Sequence, residues 1–133
     1  MSRIKFWEGN GCDQNNLGSV KVGDCDGEGH CVTWGNKKSW NLKNEDNWIP
    51  NDEARSCTLK DVPAGTKIWL YDSPEGDKGD DWTEIQVLKT ATTDICISSF
   101  EQTFSDEWYT MTYHKNNGLQ GKVSRIKVSV PSK

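Results

Sequence analysis

Apolar residues in this chain come in short alternating or β-branched runs and never in a helical stripe. "IKFW" (4–7), "SCTLKDV" (56–62), "TKIWLY" (66–71), "TEIQVL" (83–88), "DICISSF" (94–100), "YTMTYH" (109–114) and "VSRIKVSV" (123–130) are runs of this kind. That period of two, with β-branched and aromatic residues, predicts strands. No stretch sustains the i, i+3, i+4, i+7 spacing of a helix over three turns. Turn-rich clusters punctuate the runs: "EGNGCDQNN" (8–16), "GDCDGEGH" (23–30), "SPEGDKGDD" (73–81) and "HKNNG" (114–118). Many short strands with polar punctuation predict an all-β antiparallel sandwich or barrel.

Part of the pattern occurs twice. Ile4–Glu8 reads apolar, any, apolar, aromatic, acid, and the same order returns at Ile68–Asp72. Further along, "NDEARSCTL" (51–59) has its counterpart in "QGKVSRIKV" (120–128). Each half opens with a strand ending in an aromatic and an acid, and closes with a polar turn feeding a strand that bears Ser or Arg. The boundary falls at "DVPAGT" (61–66), where proline and glycine permit a crossover. The 133 residues thus read as a single domain of two halves, 3–62 and 66–130, packed about a pseudo-twofold axis. Segment 21–50 lengthens the first half.

This order of strand, glycine turn and late Asn-Asp-containing turn, repeated, resembles the microbial type of βγ-crystallin domain. The similarity covers about 4–9, 51–59, 66–87 and 112–129, and "NDEARS" is its most specific piece. The resemblance implies two Greek-key motifs forming a β-sandwich, with calcium held where the motifs meet. It further implies a shared ion shell: a turn supplies part of it, completed by a carbonyl from the acid that ends one motif's first strand and by a Ser or Thr hydroxyl from the other motif's turn. Carried onto this chain, one intact site combines Glu8, Asp52, the Glu53 carbonyl and the Ser124 hydroxyl. A second site, built on Asp72, the turn at Gln120–Gly121 and Arg55, is degraded. Gly121 stands where the family has Asn or Asp, and Arg55 stands where it has Ser or Thr and repels a cation. Calcium takes 6–8 oxygens of mixed kind, so such turns suit it chemically. The expectation is one calcium ion stabilising a non-enzymatic domain.

Composition narrows the partners. A net charge of −4 argues against a phosphate-backbone partner, and no apolar run is long enough for a membrane helix. Five cysteines are dense for a cytosolic domain and odd in number. Cys25 and Cys31 flank a glycine-rich turn and are the candidate disulfide. No signal-peptide pattern precedes the first strand, and cysteine density favours secretion, with its leader removed, over the cytoplasm. "DCDGEGHCVTWG" (24–35) fails as an EF-hand loop, because Gly35 occupies the position of the bidentate glutamate. His30 with Cys25 and Cys31 lacks a fourth zinc ligand. Neither His30 nor His114 has an acid placed to orient it for catalysis. The acidic run 73–84 reads as a solvated loop.

Seven tryptophans exceed what a small core needs. Trp7 and Trp69 lie on the repeated strands and read as core or half-core. Trp34, Trp40 and Trp48 lie in a polar segment, where they either cover the open end of the sandwich and stay buried, or stand exposed as rings that would suit a glycan or a protein partner. The alternative reading is therefore a secreted lectin-like, toxin-like or peptidase-inhibitor module that uses segment 21–50.

Overall fold

The computed structural model describes residues 2–25, 29–43, 48–116, 118 and 122–133. These form strands β1 (Arg3–Gly9), β2 (Asp13–Gly23), β3 (Cys31–Thr33), β4 (Lys37–Asn41), β5 (Ser56–Lys60), β6 (Lys67–Tyr71), β7 (Trp82–Val87), β8 (Ile95–Ile97), β9 (Phe104–Ser105), β10 (Tyr109–His114) and β11 (Arg125–Ser129). There is no helix among the described residues. The alternation read from sequence decides which side of each strand is wet. In β1, Ile4 and Phe6 are fully buried while Arg3, Lys5 and Trp7 face outward. In β6, Ile68 and Leu70 are buried while Lys67 and Trp69 face outward. Trp7 and Trp69 are thus partly buried residues of the outer faces, not of the core.

Two sheets pack over a core that includes Phe6, Leu42, Ile49, Ile85, Phe100 and Ile126. Each such side chain contributes ~1.5–3 kcal/mol by leaving water. The first sheet has the order β3-β2-β1-β5-β8 and the second β4-β11-β6-β7-β10-β9. Within them, β2-β1-β5-β8 and β7-β6-β11-β4 are the same arrangement drawn from opposite halves of the chain. Each half lends one strand to the other half's sheet: β4 lies against β11, and β8 lies against β5.

Backbone hydrogen bonds mark corresponding places in the repeat. The Arg55 amide donates to the Trp7 carbonyl at 2.9 Å, and the Ser124 amide donates to the Tyr71 carbonyl at 2.8 Å. Both polar turns are therefore tied beside the acid that ends the strand opening their own half.

Cys12 is joined to Cys96 and Cys25 to Cys31, while Cys57 is free and buried. The Cys25–Cys31 pair is the one its spacing suggests. The Cys12–Cys96 bridge ties the β1–β2 turn to β8. No helix among the described residues is long and apolar enough to cross a membrane.

Candidate cation site at the junction of the halves

The end of β1 is built to release its acid from the sheet. Pairing with β2 slips between Phe6 and Trp7 and again between Trp7 and Gly9. Such irregularities bend a strand and re-aim its side chains. Glu8 leaves the ladder and lines an open polar cleft of about 680 Å3 together with Gly9, Asn10, Gln14, Asp52, Glu53 and Arg55. Asn15 Nδ2 donates to Glu8 Oε1 at 3.0 Å. The chain just after Glu8 is pinned by Ser56, which is fully buried. Its hydroxyl donates to the Gly9 carbonyl at 2.6 Å and accepts from the Cys12 amide at 3.0 Å.

Asp52 adopts φ +65°, a left-handed conformation in which aspartate and asparagine are enriched among non-glycine residues. That turn sets its amide to donate across the halves to the Val123 carbonyl at 3.1 Å. The Ser124 hydroxyl donates to Asp52 Oδ1 at 3.1 Å, a contact between residues 72 apart. Beside it, Asn51 Oδ1 is buried with no hydrogen-bond partner among the described residues. A buried acceptor left unpaired costs free energy, and a cation is one way to satisfy it.

Comparison with protein-family models, with curated proteins and with solved structures finds no match. The reading of the site therefore rests on its geometry and on the sequence.

The structure brings Glu8, Asp52 and Glu53 together in the cleft and holds Ser124 against Asp52. It places Arg55 in that same cleft with Glu8, not with Asp72. Gln120 and Gly121 lie outside the described residues. Asp72 stands on the Ser124 side, where its carboxylate and those of Asp80 and Asp81 have oxygens within 4.8 Å of one another. Burial first, then the negative charge of Asp80, holds the Asp72 carboxyl above its ordinary value; Asp81 and Asp52 add to this while Lys122 opposes it.

Asp81 departs from the solvated loop expected for this run, because its side chain is fully buried. Its carboxylate accepts from the Tyr113 hydroxyl at 2.5 Å, the Asn116 amide at 2.8 Å and the Gly118 amide at 2.7 Å. Burial, followed by that hydrogen bond to Asp81, raises the Tyr113 phenol above its usual value. The signal for this in sequence was slight: an acid directly before the outward Trp82 must, by strand alternation, turn inward.

The three tryptophans of segment 21–50 do not form an open platform. Trp40 is only 7% exposed and belongs to the core, so its ring cannot meet a glycan. Trp48 packs against it edge-on at 5.3 Å between ring centres, and His30 stacks on Trp48 at 4.1 Å. Trp34 is partly buried; its Nε1 donates to Asp24 at 3.1 Å and Lys133 lies over its ring.

Proposed function

We propose that this chain is a non-catalytic calcium-binding domain, extracellular in setting, built of two Greek-key motifs like those of microbial βγ-crystallins. The reciprocal loan of β4 and β8 supports the two-motif reading. The observation that carries the ion is the cross-half contact of Ser124 with Asp52, next to the unpaired oxygen of Asn51. Carboxylate and hydroxyl oxygens meet there and the amide oxygen belongs to the adjoining residue, hard donors of the mixed kind calcium takes. Glu8 and the Glu53 carbonyl are what the sequence resemblance adds to this shell. Calcium bound only to the native state stabilises it by RT ln(1+[Ca]/Kd), ~2.7 kcal/mol at a hundredfold excess over Kd.

A second assignment of the acid has its own support. Arg55 shares the cleft with Glu8, whereas Asp72, Asp80 and Asp81 crowd negative charge on the side where Ser124 lies. Asp72 is then the strand-end acid that joins Asp52 and Ser124 around the ion.

Two features fit a binding module more than an enzyme. Both histidine rings stack on tryptophan, His30 on Trp48 and His114 on Trp82. Two disulfides suit an oxidising compartment.

Calorimetric calcium titration of wild type beside Ser124→Ala, Asp72→Asn, Glu8→Gln and Arg55→Ser tests the proposal. Ser124→Ala weakens binding, and Arg55→Ser improves or adds a binding event. The acid whose amide variant loses affinity is the ligand. Absence of calcium-dependent heat and of any rise in melting temperature at millimolar calcium refutes the reading.

A further inference from the structure

The chain that follows Glu8 is held in a strained turn. From Gly9 to Gln14 three residues take left-handed φ: Gly11 at +71°, Cys12 at +59° and Gln14 at +65°. Two of the three carry side chains, and backbone of this kind persists only where its surroundings over-determine it. Three ties do so here. The Gly11 amide donates to the Ser98 carbonyl at 2.9 Å, and the Cys12 amide donates to Ser56 Oγ at 3.0 Å. The third tie is covalent, from Cys12 to Cys96 on β8. Ser56 Oγ also donates to the Gly9 carbonyl at 2.6 Å. A continuous relay therefore runs from Cys96 through Cys12 and Ser56 to Gly9, the neighbour of Glu8.

This turn is part of the polar cleft. Gly9, Asn10 and Gln14 line it together with Glu8. The fit is close, since a Cβ at Gly9 would stand 2.9 Å from Gln14 Cγ. The bridge itself is open to solvent thiols: Cys96 is exposed and Cys12 half-buried. Cys57 lies in the core with no exposure, so it is no resolving partner for either sulfur in the folded state. Cys25–Cys31 sits elsewhere. It follows Gly23, the end of β2 remote from Gln14.

We infer that Cys12–Cys96 is a redox latch on the cation site. Oxidised, it holds the 9–14 turn in the shape that keeps Glu8 at the cleft. Reduction releases the strained turn, and the site loses affinity for calcium. The inference rests on the calcium reading, with Glu8 as the strand-end acid. The reductant is a dithiol. Its thiolate attacks Cys96 Sγ, the S–S bond breaks, and Cys12 leaves as a thiolate that takes up a proton. The second dithiol sulfur then closes on the first and expels Cys96. The reagent ends as a cyclic disulfide and the protein gains two thiols. The ladders of β1 with β2 and β5 do not depend on the bridge, so the change stays local. Linkage makes the effect mutual: calcium favours the disulfide by the factor by which the disulfide favours calcium. A tenfold factor moves the midpoint potential by about 30 mV.

The test is calorimetric calcium titration of the intact protein, oxidised, treated with dithiothreitol, and reoxidised. Cys12→Ser/Cys96→Ser reproduces the open latch with Cys25–Cys31 in place, and Cys25→Ser/Cys31→Ser is the converse control. Ser56→Ala cuts the relay with both bridges intact. Hydrogen exchange of amides 9–14 reads the turn, and tryptophan fluorescence reads the fold. The expected result is a Kd weakened by about tenfold or more in the reduced protein and in Cys12→Ser/Cys96→Ser. It recovers on reoxidation, stays within about twofold of wild type in Cys25→Ser/Cys31→Ser, and rises in Ser56→Ala. The 9–14 amides exchange faster wherever affinity falls. Equal affinity in both redox states overturns the latch and leaves the calcium reading standing. Unchanged exchange in the turn, an equal loss in Cys25→Ser/Cys31→Ser, or loss of the whole fold on reduction also overturns it. An oxidised protein that binds no calcium refutes the calcium reading, and the latch with it.

Discussion

Asp81→Asn keeps the shape of a buried side chain and removes its charge, and the structure allows the loss to be worked out. Oδ2 accepts from the Tyr113 hydroxyl and the Gly118 amide, and Oδ1 accepts from the Asn116 amide. Asparagine can offer its one oxygen to the first two donors. Its NH2 then faces the Asn116 N–H, donor against donor. One charge-assisted bond, worth ~1.5–3 kcal/mol, disappears. Two others fall to neutral strength, roughly half of what they were. The sum is about 3–6 kcal/mol, a large share of the ~5–15 kcal/mol that holds a small domain folded. Urea denaturation followed by tryptophan fluorescence measures it, with Tyr113→Phe and the double variant completing a cycle. Tyr113→Phe costs less than Asp81→Asn, and the two couple by ~1 kcal/mol or more. A loss below 1 kcal/mol for Asp81→Asn, or strictly additive variants, refutes the claim that this carboxylate fastens the 113–118 turn to the second sheet.

Other expectations follow from the same contacts. Removing Cys12–Cys96, which spans a separation of 84, costs about 4–5 kcal/mol by loop entropy, whereas removing Cys25–Cys31, at a separation of 6, costs only about 2 kcal/mol; denaturation of the two double-serine variants gives the order. Cys57 is fully buried and burial pushes its thiol up, so a thiol reagent such as Ellman's labels no cysteine in the native protein and one after unfolding. Because the Asp72 carboxyl is raised in the fold, its ionised form destabilises the calcium-free protein. Asp72→Asn is therefore more stable than wild type at pH 7, and the gap closes as pH falls through the folded pKa toward the ordinary aspartate value; pH-dependent melting in chelator shows it, and a less stable variant at pH 7 refutes it.

How far the fold was readable depends on the range of the interaction involved. Alternation in "IKFW" and "TKIWLY" marked them as strands, and in the fold it buries Ile4, Phe6, Ile68 and Leu70, because inward and outward are decided by neighbours two positions away. Trp7 and Trp69, read as core or half-core, are the latter: alternation turns them outward and leaves them partly buried. The repeat was visible, and its two polar turns each receive the matching backbone bond, Arg55 to Trp7 and Ser124 to Tyr71. Which sheet "KKSW" or "ICI" would join was not visible, since a three- or five-residue strand carries no mark of its partner. Cys12–Cys96 was hidden for the same reason. Within the candidate site, Asp52, Glu53 and Ser124 were legible from the tandem turns. The burial of Asp81 was not, because it depends on the amides of Asn116 and Gly118, whose positions come from a distant hairpin.

The reciprocal loan of strands bears on how this chain emerges during synthesis. β5 ends at Lys60, but the strand that covers its outer edge, β8, ends at Ile97. At a ribosomal pace of ~5–20 residues per second, the first sheet waits roughly 2–7 s with that edge bare. β4 waits longer still for β11, the last strand made. A nascent chain in this interval exposes unpaired backbone to any neighbour, including another copy of itself at the same stage, so crowded translation is where this otherwise well-covered protein is most open to mispairing.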